Sequence, residues 1–237
     1  MKFDFLIIGA GIIGAATGDL LIRRFPDARI GILEKESQPA QHQSGRSSGV
    51  IHAGVYYEPN SLKAKLCHAG LNKTYAFCEQ NNIPIRQTGK LIVATNELEL
   101  QRLHVLAERA SNNQVSARLI NAGEMRELEP SIAGLEGLLV ERTGIVDYAE
   151  LTRTLINRAE LAGVSFIPDS TITSITEQSA NVVVSTRNNE YSANKLIACA
   201  GLQADRVAKM AGVEPSVLLV PFRGDFYQLP PAYSQRI

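Results

Sequence analysis

Three glycines mark the first chemistry in this sequence. Gly9, Gly11 and Gly14 form G-x-G-x-x-G at the end of the apolar run FDFLIIGAG. In that setting the first glycine permits a tight turn, the second lets a pyrophosphate approach the backbone, and the third lets a helix pack closely on a strand. The free N–H groups and positive dipole end of that helix suit phosphates. Glu34 lies 20 residues beyond Gly14, where a carboxylate accepts hydrogen bonds from a ribose diol. An acid at this point argues against a 2′-phosphate and so against NADP. NAD and FAD remain.

The stretch HQSGRSSGVIHAGVYYEP, residues 42–59, favours FAD. A plain NAD unit needs nothing special beyond the acid. FAD also has a ribityl chain, a further phosphate and a ring that must lie close to backbone. Ser44, Ser47 and Ser48 offer hydroxyls, and Arg46 offers a charge for phosphate. Gly45 and Gly49 remove side chains where a flat ring or phosphate comes close. A Ser/Gly-rich run is ordinarily a surface loop, but this one begins its hydroxyl series ten residues after Glu34.

The elements that must position these residues read as a βαβ unit. After the first strand, Ile12, Ile13, Ala16, Leu20 and Leu21 suit one helix face up to Pro26, and RIGILEK is a second strand. The pattern predicts a helix in residues 60–80 with Ser61 near its start, a strand at 90–95 and a helix over roughly 97–110 with Asn96 as a candidate cap. Asp147 and Glu150 form a capping-box pattern for a helix that Gly163 ends. Strands are expected at 164–167, 170–176 and 181–187, and NKLIACAGLQADRVAKMAG repeats strand, glycine turn and helix. The fold class is therefore α/β: a Rossmann-like FAD-binding domain over 1–81 and 145–212, with an inserted α+β substrate domain over 82–144 and 213–237. The segment 82–147 reads as more irregular than the rest.

Composition narrows the class. The chain has 237 residues, 45% hydrophobic and 20% charged, with 24 basic against 24 acidic residues, which implies no nucleic-acid footprint and no polybasic membrane patch. Cys67, Cys78 and Cys199 show no CxxC and no metal spacing, so they read as buried thiols in a reducing compartment. His42, His68 and His104 lack partners at ligand spacing, and no metal site is proposed. MKFDFLIIGAG is too short and too charged for a signal peptide, and no 18-residue apolar run follows. The expectation is a cytoplasmic protein, with peripheral contact at the inner membrane left open.

Taken together, QSGRSSGVIHAGVYYEPNSLKAKLC, GKLIVAT, TGIVDYAEL, ACAGLQADRVA and VPFRGDFYQL resemble the L-2-hydroxyglutarate dehydrogenase/oxidase family, within the wider group that includes glycine oxidase, D-amino-acid oxidase and glycerol-3-phosphate dehydrogenase. The resemblance covers essentially the whole chain with its motifs in order. It implies a two-domain FAD enzyme that oxidises L-2-hydroxyglutarate to 2-oxoglutarate and passes electrons to a membrane quinone or another acceptor. It places residues 42–59 past the pyrophosphate and beneath the flavin, with His52 near the ring as base for the hydroxyl proton, a role that suits imidazole. The implied cofactor set is Gly9, Gly11, Ile13, Gly14, Glu34, Lys35, Ser44, Arg46, Ser47, Ser48, Gly49, Thr173 near the adenine, and the second glycine turn at Ala200 and Gly201. Tyr56 and Tyr57 would meet the substrate, and a five-carbon diacid needs cations, for which Arg223 and then Lys90 are the candidates.

Family members continue well beyond Ile237, so the resemblance reads this chain as a fragment or a natural truncation that lacks the end of the substrate sheet and would be nearly inactive. Two other functions fit the same residues: oxidation of an amino acid or polyol phosphate, and a non-catalytic dinucleotide-binding module.

Overall fold

Residues 1–225, Tyr227 and Pro230 are described by the structure, a computed structural model. Phe226, Gln228 and Leu229 of the VPFRGDFYQL stretch, and residues 231–237 of the expected substrate domain, lie outside the described residues.

The continuous apolar runs belong to a parallel sheet covered on both faces. β1 (Lys2–Ile8) pairs in parallel with β2 (Ile30–Leu33) on one side and with β12 (Glu190–Ala198) on the other, and β9 (Ser165–Ile167) lies beyond β2. Leu6, Ile8 and Leu33 face one way, into a cluster with Ile175, Val182, Val184 and Tyr191. Those residues come from the antiparallel meander of β10 (Ile172–Glu177), β11 (Val182–Thr186) and the first half of β12. Val207 of α6 (Ala204–Met210) joins the same cluster. Ile7 and Ile32 face the other way, towards Gly18 of α1 (Ile12–Arg24).

The buried face of α1 differs from the expected one. Gly14, Ala15, Gly18, Asp19 and Ile22 are buried, while Ile13 and Leu20 are 66% and 58% exposed. Small residues win the inner face because the helix lies almost on the strand: a Cβ on Gly18 would sit 2.7 Å from Ile32 Cδ1. Buried Asp19 joins α1 to α5 (Tyr148–Leu161), taking Arg23 at 2.7 Å and Arg158 at 3.5 Å. Asp147 caps α5 through the amides of Ala149 and Glu150. The reciprocal capping box occurs instead at Asn121 and Glu124, at the start of α4 (Ala122–Leu128).

Contacts divide the chain into two units, one joining Met1–Ser48 with Asp147–Arg223, the other built on Gly49–Val146. The second therefore begins at Gly49 rather than at residue 82, because β3 (Val50–Ile51) and α2 (Leu62–Gln80) bond within it: β3 pairs β8 (Gly144–Val146), and Tyr75 of α2 donates to Arg142 O. Residues 213–223, expected in the substrate domain, fall in the first unit. The 82–147 segment is regular. β8 also pairs β4 (Ile85–Arg86), while β5 (Lys90–Ala94) and β6 (Ala117–Asn121) flank β7 (Glu136–Val140) in a second antiparallel sheet. α3 (Glu97–Asn112), capped by Asn96, links β5 to β6. Of the three cysteines only Cys78 is fully buried; Cys67 and Cys199 are half-buried.

Candidate functional site

In the first unit three segments meet at the C-terminal ends of β1 and β12, the end of a parallel sheet where ligands are received. Gly9 bends left-handed at φ +99°, and a Cβ on it would lie 2.5 Å from Cys199 O; one on Gly14 would lie 1.9 Å from Gly9 O. Both glycines are demanded by the chain's own packing. Gly11 is different. Among the described residues a Cβ on it would meet only Ser44 Oγ, at 3.2 Å, so the space beside its backbone stays open to an approaching group. Ile12 N donates to Ser44 Oγ at 2.8 Å, which leaves the Ser44 O–H free to donate outward. α1 has no acidic residue in its first turn, so its positive end is not neutralised. Ile13, next in that turn, is exposed. An open amide turn, an outward hydroxyl and an uncompensated helix end fit a pyrophosphate.

Glu34 is 7% exposed and already partnered, its carboxylate accepting from Ala10 N at 2.7 Å and Glu36 N at 3.1 Å. It ties the end of β2 to the glycine turn, a duty the spacing argument did not reveal, and its oxygens keep lone pairs for ribose hydroxyls. Ser170 N and Asp169 N donate to Glu34 O and Glu36 O at 2.7 and 3.1 Å, bringing the start of β10 beside the end of β2. Thr173, three residues on, spends its hydroxyl on Ser185 O at 3.2 Å. Lys35 pairs with Glu36 at 3.6 Å, and Glu36 takes His42 Nε2 at 2.8 Å. That hydrogen bond, chiefly, holds the Glu36 carboxyl below its ordinary pKa.

The remaining cofactor candidates lie along the same loop and the second turn. Arg46 is exposed and makes no ion pair among the described residues. Ser47 reaches Ser44 O at 3.5 Å, and Ser48 is exposed. Gly45 and Gly49 have packing reasons that the sequence did not supply: a Cβ would lie 2.2 Å from Ala40 O at the first and 2.9 Å from Val146 O at the second. Ala200 precedes Gly201, which turns left-handed at φ +54° with Gln43 Oε1 2.7 Å from where its Cβ would be.

In the second unit His52, Tyr56, Tyr57 and Lys90 line one depression, together with Thr143 and residues 53–55. Its volume is about 20 Å³, room for one water-sized group. Lys90 Nζ stands 4.3 Å from the centre of the Tyr56 ring, a cation–π contact. Partial burial first, and Lys90 second, hold His52 below the ordinary imidazole pKa. The ring is thus neutral near pH 7 and able to accept a proton. Its backbone is held too, since Cys67 Sγ donates to His52 O at 3.1 Å. Arg223, exposed at the end of the first unit, is not among the residues of this depression.

Three residues here escaped the sequence reading. Asn113, the C-cap of α3, donates to Tyr57 O at 2.7 Å and Gly54 O at 3.5 Å, and Arg109 donates to Tyr56 O at 3.2 Å. A polar residue ending a helix carries no signal of what it grips. Thr143, in the turn between β7 and β8, is 5% exposed; a Thr-Gly pair reads simply as a turn.

The profile of the family described as FAD dependent oxidoreductase matches residues 4–236, and the chain belongs to that family. Among its relatives, L-2-hydroxyglutarate dehydrogenase of Escherichia coli is 48% identical over 234 residues, covering 98% of this chain and 56% of that one. The human mitochondrial L-2-hydroxyglutarate dehydrogenase is 39% identical, over 97% of this chain and 52% of that one. The chain spans about half the length of these relatives. Among solved structures, dithionite-reduced L-alpha-glycerophosphate oxidase of Mycoplasma pneumoniae with FAD bound matches with TM-score 0.83 and 30% identity over 90% of this chain and 57% of that one. Glycine oxidase of Geobacillus kaustophilus gives TM-score 0.82 at 24% identity over 92% and 60%, a likeness of fold alone.

Proposed function

We propose that this chain serves the FAD-dependent oxidation of L-2-hydroxyglutarate to 2-oxoglutarate. The observation that carries this reading is the 48% identity with a bacterial L-2-hydroxyglutarate dehydrogenase across 98% of the chain. FAD, when bound, supplies a two-electron acceptor for the hydride leaving C2, and returns the electrons to a quinone or other acceptor. The residues that would hold it are the glycine turn at 9–14 for the pyrophosphate, Glu34 for the ribose, and Ser44, Arg46, Ser47 and Ser48 along the following loop, with Ala200 and Gly201 at the second turn. Lys35 and Thr173 stand at the adenosine side of that set.

His52 would take the C2 hydroxyl proton on an imidazole nitrogen, so the alcohol becomes a ketone by giving one proton to His52 and one hydride, with both electrons, to the bound cofactor. Its depressed pKa keeps it unprotonated for this at neutral pH. Lys90 gives charge to a substrate carboxylate and Tyr56 holds Lys90 from one side; Arg223 is the candidate for the second carboxylate. Incubating the FAD-loaded protein with L-2-hydroxyglutarate and a dye acceptor, and identifying the product by NMR, tests the reading. Stoichiometric 2-oxoglutarate is expected; dye reduction by L-glycerol 3-phosphate in its place would favour a polyol phosphate substrate.

A further inference from the structure

Thr143 joins a nearly complete burial to an unused hydroxyl. It is 5% exposed, and its Oγ1 makes no hydrogen bond to any described residue. Yet no fully buried side-chain nitrogen or oxygen among the described residues lacks a partner. Thr143 Oγ1 must therefore reach open space, and the opening that Thr143 borders is the depression beside His52. A hydroxyl that faces a small recess with no protein partner keeps its O–H donor for whatever fills that recess.

The backbone fixes this hydroxyl against the two cationic or basic groups of the recess. β3 and β8 pair Val50 with Ile145 and Ile51 with Gly144. His52 follows Ile51 and Thr143 precedes Gly144, so both leave the same end of this ladder, and both line the same recess. On the other flank, Gly89 N donates to Thr143 O at 2.9 Å, and Lys90 is the next residue. No carboxylate lines the recess: its ionisable groups are His52, Lys90 and the two tyrosines. Positive charge, one spare O–H donor and room for one water-sized group describe a seat for one oxygen of a carboxylate, whose second oxygen lies at the mouth beside Lys90.

We propose that Thr143 is a substrate-binding residue whose hydroxyl, together with the Lys90 ammonium, receives one carboxylate of the 2-hydroxy diacid. This rests on the function proposed above. Thr143 donates to one carboxylate oxygen and Lys90 to the other, so the acid is gripped on the side of the recess that His52 shares. Thr143 thereby contributes to choosing an acid over an uncharged alcohol.

The test uses the FAD-loaded protein with Thr143→Val, which keeps shape and loses the hydroxyl, and Thr143→Ser, which keeps the hydroxyl. Binding of 2-oxoglutarate is measured by calorimetry and by perturbation of the flavin spectrum, with FAD affinity and melting temperature measured alongside. Thr143→Val is expected to weaken 2-oxoglutarate about 10-fold, the scale of one hydrogen bond to a charged group, with FAD affinity unchanged. Thr143→Ser should stay within about 2-fold of wild type on the same argument. Equal affinity in wild type and Thr143→Val, or a loss that Thr143→Ser fails to restore, overturns the role of the hydroxyl while leaving the proposed function standing. Wild-type protein that binds FAD but neither 2-oxoglutarate nor L-2-hydroxyglutarate overturns the function itself, and this assignment with it.

Discussion

In the proposed function His52 and Glu34 carry the residue-scale chemistry, and the sequence signals for the two differ in kind. His52 lies in the Ser/Gly-rich stretch after Glu34, and the structure adds why it suits a base: partial burial and Lys90 both disfavour its cation. A base must be neutral to act, so the rate of flavin reduction should fall as pH drops through the His52 pKa and be flat above it. Because that pKa is lowered, the falling limb should lie on the acid side of the ordinary imidazole range. His52→Ala should slow reduction ~10²–10⁴-fold and erase that limb, with FAD affinity unchanged; stopped-flow rates from pH 5 to 9 check both. Lys90→Gln removes the second cause and should move the limb towards higher pH, with burial, the first cause, still acting. Spacing alone proposes Glu34 as a ribose acceptor, whereas its grip on Ala10 N and Glu36 N leaves no signal in the sequence. Glu34→Arg should therefore lower the melting temperature as well as FAD affinity. A variant that loses FAD affinity at an unchanged melting temperature would show the backbone bonds to be dispensable.

At the scale of elements, legibility followed the distance over which a signal acts. β1, α1, β2 and α5 were readable because glycine turns, caps and apolar runs are local. The buried face of α1 is not the one its large apolar residues predict, because the closeness of Ile32 to Gly18 admits only a small residue. The two three-stranded sheets of the second unit were unreadable for another reason. Lys90 pairs with Val140 and Ala117 with the same residue, and such long-range ladders leave no periodicity in a short window. The same holds for the grip of α3 on the tyrosine loop. Asn113→Asp keeps the shape but turns a donor into a charged acceptor facing Gly54 O and Tyr57 O. It should weaken substrate binding about 10-fold through displacement of that loop, leave FAD affinity intact, and be relieved in part by Asn113→Gln. Calorimetric titration of the three proteins with 2-oxoglutarate checks the prediction. In the first unit, Asp19→Ala breaks the tie between α1 and α5. Of its two ion pairs only the one to Arg158 bridges the helices, the one to Arg23 lying within α1; losing both should cost about 2 kcal/mol of stability, given a buried acceptor of charge-assisted bonds whose arginines can turn to solvent, read from urea unfolding.

For the whole molecule, the glycine motif with its acid points to a dinucleotide, the serine loop to FAD, and the ordered motifs to one family, whose profile matches residues 4–236. Composition contributed only exclusions: equal numbers of basic and acidic residues, 24 each, leave no broad field for a polyanion. Among the described residues no helix is long and apolar enough to cross a membrane. The proposed substrate rests on resemblance, since no spacing in the sequence encodes a diacid; the recess of His52, Tyr56, Lys90 and Thr143 is the physical feature that supports the proposal. Anaerobic mixing of the FAD-loaded protein with candidate substrates, followed by flavin absorbance, is the most direct measurement. L-2-hydroxyglutarate should bleach the flavin, while D-2-hydroxyglutarate, L-glycerol 3-phosphate and glycine at equal concentration should not. A flavin that L-2-hydroxyglutarate leaves oxidised while one of the others reduces it would contradict the proposed function.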